Sequence, residues 1–255
     1  MAVSSLYLNG KEINTLYIGG KLFYQKIEPG LYDVNDNFIV SYEESGLDVT
    51  RSYYSNATGS THKTEASSGY STLLRYPDCV RIVLPNNITQ IGSYSLASCT
   101  NLVKINIPGS VTYMGRNAFM GTNITEIEIP GTIDQISHNG FYNCKNLTSV
   151  KIGNGTTSIS SGAFMNDTSL RYIILPKTLN NIWEAAFQDT DLSLIYYEGT
   201  KNEWKTIQIA DETMKSPPAN ALRYYSEEDP WWASGLERAL YWRYVNGKPK
   251  LWSQS

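Results

Sequence analysis

The residues that could do chemistry are few and poorly placed for it. The 255-residue chain carries two histidines, His62 and His138, and three cysteines, Cys79, Cys99 and Cys144. A nucleophile needs a base within reach, and a protein metal site needs several His, Cys or carboxylate ligands drawn together. Neither histidine stands beside a recognisable Ser or Cys motif, and GxSxG, HExxH, phosphate-loop and CxxC patterns are missing. Asp33, Asp36 and Asn37 offer oxygen ligands, but the D-x-D-x-D-G spacing and closing Glu of a calcium loop are absent, so they read as a solvated turn. The chain is therefore read as non-enzymatic, with no catalytic residue, no cofactor and no metal.

What remains is binding chemistry, on two candidate surfaces. The first is an outward-facing ladder of short strands carrying Lys104, Asn106, Glu126, Glu128, Lys151 and Tyr172. Lys104 faces Glu126, and Glu128 faces Lys151, as lateral opposite-charge pairs on neighbouring strands. A ladder of this kind either keeps a sheet soluble or meets a partner. Val83, Tyr172 and Ile174 are odd for a purely solvated face and imply a contact. The second surface is the aromatic C-terminus with Trp231, Trp232 and Trp242, where Trp and Tyr stack on sugar rings, fill an interface or cap the fold. Alternation through YWRYV buries one face of a terminal hairpin and leaves Trp242 on the other.

The elements that position these residues come from a repeat. A Pro or Gly follows a short apolar run at Pro85, Pro108, Pro130, Gly153 and Pro176, in steps of 23, 22, 23 and 23. Two further apolar columns keep the same beat: Leu96, Phe119, Phe141, Phe164, Phe187, and Ile91, Met114, Ile136, Ile159, Ile182. Each rung opens with period-two alternation, as in Ile82/Leu84 and Ile105/Ile107, which marks a half-buried strand. The proline then ends pairing, because it has no N–H to give. A short helical or 3-10 segment carries the aromatic. One rung cannot bury these side chains alone, so rungs must stack into a solenoid. The LPxxIxxIxxxAFxxCxNL pattern resembles the BspA-like bacterial leucine-rich repeat family, whose members are mostly surface or secreted binding proteins. Rung four departs from the pattern at Gly153-Asn154-Gly155 and Thr156, and a looser rung is expected there.

The fold class expected is thus mainly β: a leucine-rich-repeat solenoid of five to six rungs with β-rich caps. Residues 1–27 read as an N-terminal β-hairpin anchor, 28–79 as a β-rich cap and loop, 80–200 as the solenoid, and 201–255 as an aromatic-rich cap with a terminal hairpin at Asn246-Gly247. Residues 55–69 are polar and read as loop. Cys99 and Cys144 share a column two rungs apart, about 10 Å, too far for a disulfide.

A net charge of −3 gives no basic footprint for nucleic acid. No apolar stretch is long enough to span a bilayer, and the opening MAVSSLYLNGKEIN lacks the pattern of a signal peptide. The LYLNGKEI…LYIGGKLFYQ opening resembles short N-terminal modules of phage and prophage structural proteins of Gram-positive hosts. The ending, with YWRYVNGKPKLW, resembles a C-terminal module that follows such repeats in gut-type Gram-positive bacterial and prophage proteins. These resemblances imply a virion structural protein: a head- or tail-attached decoration, fibre or host-attachment component. It would be multi-copy, held to other virion proteins by the N-terminal hairpins, and would touch a host surface protein or glycan. The alternative is a bacterial cell-surface adhesin binding host protein or glycan.

Overall fold

The computed structural model describes residues 28–50, 73, 75–215, 221–226 and 240–252, with the backbone of four short strands between 6 and 25. Those four form two separate antiparallel pairs, β1 (Leu6–Leu8) with β2 (Lys11–Ile13) and β3 (Thr15–Ile18) with β4 (Lys21–Gln25). The turns expected at Asn9-Gly10 and Gly19-Gly20, the polar loop 55–69 with His62, and Trp231 and Trp232 lie outside the described residues.

Strand β5 (Gly30–Tyr32) pairs antiparallel with β6 (Phe38–Ser41) and, on its other side, with the first strand of the repeats, β7 (Arg81–Val83). The edge of the first rung is thereby covered, as an open solenoid end requires. The intervening turn is tied by Asp33, whose Oδ1 accepts from the N–H groups of Asn35 and Asn37, both at 2.8 Å. A one-turn helix, α1 (Tyr42–Ser45), follows; Ser41 caps it and Gly46, at φ 69°, closes it.

Each repeat then makes one coil with two short strands. After β7 come β8 (Gln90–Ile91), β9 (Lys104–Asn106) and β10 (Tyr113–Met114). The third and fourth coils hold β11 (Glu126–Ile129), β12 (Gln135–Ile136), β13 (Ser149–Ile152) and β14 (Ser158–Ile159). The fifth holds β15 (Tyr172–Leu175) and β16 (Asn181–Ile182). Odd-numbered strands stack in parallel as a front ladder, even-numbered ones as a side ladder. Both ladders break at one place, between the second and third coils. That is the single 22-residue step, from Pro108 to Pro130.

The core runs through the break without interruption. Leu96, Phe119, Phe141, Phe164 and Phe187 are all fully buried. The four phenylalanine rings stand in file at 5.0, 5.3 and 5.3 Å, within 1°, 6° and 11° of parallel. Burying each such side chain contributes roughly 1.5–3 kcal/mol, and only coil-on-coil stacking buries them all.

The segment bearing the aromatic is wound from 3-10-type bonds, such as Ser95 N–H to Gly92 O and Cys99 N–H to Leu96 O. Alternate N–H groups instead donate to the next coil: Leu96 to Ala118, Phe119 to Gly140, Phe141 to Ala163, Phe164 to Ala186. This third ladder needs two left-handed residues per coil, four apart. Asn117 and Gly121, Asn139 and Asn143, and Gly162 and Asn166 supply them.

The fourth coil is not loose. A Cβ on Gly153 or Gly155 would run into the backbone of Gly131, and one on Gly131 into that of Asn154. The glycines let two turns lie directly against each other. Thr156, where neighbours carry an aliphatic residue, is fully buried and donates its hydroxyl to Ile133 O at 2.6 Å. A hydroxyl that is paired in this way is tolerated inside the core.

The front ladder runs on past residue 200. Strands β17 (Leu194–Tyr197) and β18 (Gln208–Ile209) add a sixth coil, whose outer arc contains α2 (Lys201–Trp204) with a Thr200/Glu203 capping box. A third short helix, α3 (Glu212–Lys215), leads on to β19 (Leu222–Tyr225) and β20 (Tyr241–Val245), which extend the ladder in parallel. β21 (Lys248–Leu251) turns back antiparallel through Asn246 and Gly247, both at positive φ.

Candidate functional site

The outward face of the front ladder forms an open trough of about 1140 Å³ at and beyond the ladder break. Lys104, Glu126, Glu128, Lys151 and Tyr172 line it, joined by Lys248 from the terminal hairpin. Lys104, Asn106, Glu126 and Glu128 are exposed, while Lys151 and Tyr172 are partly covered. In-register pairing of β11 with β13 sets Glu128 opposite Lys151, and their ion pair closes at 2.6 Å. Among the described residues Lys104 and Glu126 form no such pair, because their strands lie on opposite sides of the break. Asn106 has turned to the backbone: its Oδ1 accepts from Leu84 N–H at 3.1 Å.

At the C-terminal end of the trough the outward face becomes apolar. Ile174, Tyr196 and Trp242 form a second buried cluster, flanked by Tyr172, Leu194, Tyr225 and Tyr244. The Tyr196 ring lies 5.2 Å from Trp242 and 6.2 Å from Tyr172, edge-on to both. The sequence reading of Trp242 as an accessible binding residue is corrected here. It does lie on the outward side of β20, but it is fully buried, and its indole N–H donates to Tyr197 O at 3.1 Å. Rings from β17, β19 and β20 itself cover it. The same cluster accounts for the apolar Ile174. Tyr244 donates its phenol to Glu198 Oε1 at 2.5 Å; burial first, then this carboxylate, pushes its pKa well above the ordinary phenol range.

Tyr196 and Lys248 were missed by the sequence reading. Tyr196 pairs with Ile174 across β15 and β17, so continuing the repeat one rung further would have found it. Lys248 reaches the trough only because the ladder ends in a hairpin.

No group of three His, Cys, Asp or Glu among the described residues could hold a metal. His138 is exposed. The three cysteines are buried and in no disulfide, and burial pushes the Cys79 thiol up to about 11, the opposite of activation. No helix among the described residues is long and apolar enough to cross a membrane.

Residues 72–193, a little under half of the chain, match the family described as BspA type leucine rich repeat region, in six copies. No curated protein matches the chain. Among solved structures, a leucine rich cell surface protein from Faecalibacterium prausnitzii is similar at 30% identity over 51% of this chain and 35% of that one, with a TM-score of 0.49. A leucine rich repeat protein from T. pallidum shows 23% identity over 56% of this chain and 64% of its own, at 0.48. One from Eubacterium ventriosum shows 21% over 67% and 47%, at 0.42. The chain therefore spans less than two thirds of the length of each. The matching family is a repeat family, not an enzymatic one.

Proposed function

We propose, for a chain whose central segment is a BspA-type leucine-rich repeat, that it is a non-catalytic recognition module of the bacterial cell-surface kind, and that it binds a host protein along the front trough. The observation that carries this reading is the make-up of that trough. Lys104, Lys151 and Lys248 alternate with Glu126 and Glu128 beside a plate of tyrosines. Mixed charge around an aromatic patch fits the surface of another protein better than a polyanion or a neutral sugar chain. The rigid stack of coils presents these groups at fixed spacing, so little ordering entropy is lost on binding. The extracellular setting follows the resemblance of the repeats to a mostly surface-exposed family. Nothing in the comparisons points to a virion, and the attachment role first read from the N-terminal hairpins gives way to this one.

The test is binding of the fluorescently labelled chain to cultured epithelial cells. Saturable binding that is lost after trypsin treatment of the cells, and weakened at least tenfold by Lys151→Glu with Tyr172→Ala, is the expected result. Absence of saturable binding, or binding indifferent to both substitutions, overturns the proposal.

A further inference from the structure

A second site lies on the side ladder, away from the trough, and does not depend on the reading above. The position after the Ile91-type column carries Gly92, Gly115, Ser137 and Ser160 in successive coils, and then Trp183. The fold asks for a small residue there. The indole does not fill the core: Trp183 is 51% exposed, among the largest apolar exposures described. Its orientation is nevertheless held, because Nε1–H donates to Ser158 Oγ on the coil before, at 3.1 Å.

Beside the ring is a shallow cleft of about 260 Å³ lined by Asn181, Ile182, Trp183, Gln208, Ile209 and Ala210, with no charged side chain among them. Register brings the two carboxamides together, Asn181 pairing with Gln208 across β16 and β18. Elsewhere on this ladder the amides are engaged: Gln90 donates to Thr50 O at 3.1 Å and Gln135 to Ser160 Oγ at 2.9 Å. Among the described residues the Asn181 and Gln208 carboxamides are bonded to nothing. A held, half-exposed ring next to two free carboxamides in an uncharged cleft has one good chemical match. A pyranose offers a C–H face to stack on the indole and vicinal hydroxyls that both accept from and donate to carboxamides. A charged ligand would find no counter-charge in the lining, and a purely apolar one would leave both amides unpaired.

We infer that Trp183, Asn181 and Gln208 form a binding site for one ring of a neutral glycan. The test is calorimetric titration of the full chain with gluco-, manno-, galacto- and xylo-configured hexasaccharides at millimolar concentration. At least one binds, and Trp183→Ser weakens it tenfold or more; serine is what the two preceding coils carry, so folding is preserved. Asn181→Ala with Gln208→Ala weakens it as well, whereas Tyr172→Ala, on the other face, leaves it unchanged. Binding of none of the four classes, or binding that survives Trp183→Ser, overturns the inference.

Discussion

Asp167 Oδ1 accepts the backbone N–H of Cys144, one coil away, at 2.7 Å, while Oδ2 has no hydrogen-bond partner among the described residues and the side chain is fully buried. The column it occupies carries Cys99, Thr122, Cys144 and Thr190 in the other coils. Asp211 makes the contrast plain: also buried, it accepts from Phe187 N–H and Met214 N–H with its two oxygens, both at 2.9 Å. Asp167 lacks that second donor, so burial pushes its carboxyl up from 3.8 to about 9.

The consequence is a pH-dependent stability. Above about pH 4 the unfolded chain has released this proton and the folded one keeps it, so the folded state binds more protons. Stability is highest below pH 4, as far as this group is concerned, falls as the pH rises towards 9, and levels off beyond. Asp167→Thr removes this slope, and at pH 8 stabilises the protein by about 1–3 kcal/mol. Cys144 N–H keeps its bond to Phe141 O in that variant. Urea denaturation at pH 5, 7 and 9 reads both effects. A slope unchanged in the variant would show that another group sets it.

The phenylalanine file concentrates stability in its middle. Phe141 is stacked on both sides, against Phe119 and Phe164. Phe141→Ala costs about 3–5 kcal/mol. Phe141→Leu costs about 1–2 kcal/mol, because the first coil already carries Leu96 in this column. Equal losses in denaturation midpoint for the two variants would contradict a stacked column.

The left-handed positions give a prediction of opposite sign at two sites. Ala185 adopts φ 54° where the coil before has Gly162 at φ 66°. Ala185→Gly should raise stability by about 0.5–1 kcal/mol, since relief of steric strain outweighs the added freedom of the unfolded chain. Gly162→Ala should lower it by at least about 1–2 kcal/mol, because its new Cβ would also meet Asn139 Oδ1. Thermal melts of the two variants moving in the same direction would refute this assignment.

On the trough, stability and binding should separate. The Glu128–Lys151 pair is solvent-facing, with side chains 69% and 37% exposed. Lys151→Glu should therefore change unfolding free energy by less than about 1 kcal/mol while measurably weakening saturable cell binding. A melt lowered by many degrees would mean that the lysine holds the sheet together rather than meeting a partner.

Trp242 should behave in the reverse way. Trp242→Ala empties the centre of the outer aromatic cluster and costs about 3–5 kcal/mol, and it leaves Tyr197 O without its indole donor. Fluorescence quenching by iodide should spare Trp242 and reach Trp183, which a set of single-tryptophan variants can resolve.

The period, the three apolar columns and the inward direction of each strand were legible in the amino-acid sequence, because a repeat writes the same burial demand into every rung. The lateral pair Glu128–Lys151 followed from that register. What the sequence by itself could not settle were relations between coils. Gly153 and Gly155 read as slack in the fourth rung, yet with Gly131 they admit two backbones into contact. Trp242 read as exposed because alternation assigns a side of the sheet, and only the neighbouring strands decide whether that side is covered. Trp183 stands in the sequence as one tryptophan of six. It becomes a site only when β16 and β18 set Asn181 beside Gln208, a pairing across 27 residues that no local pattern encodes. Periodicity determines which way a residue faces; tertiary packing decides what it faces.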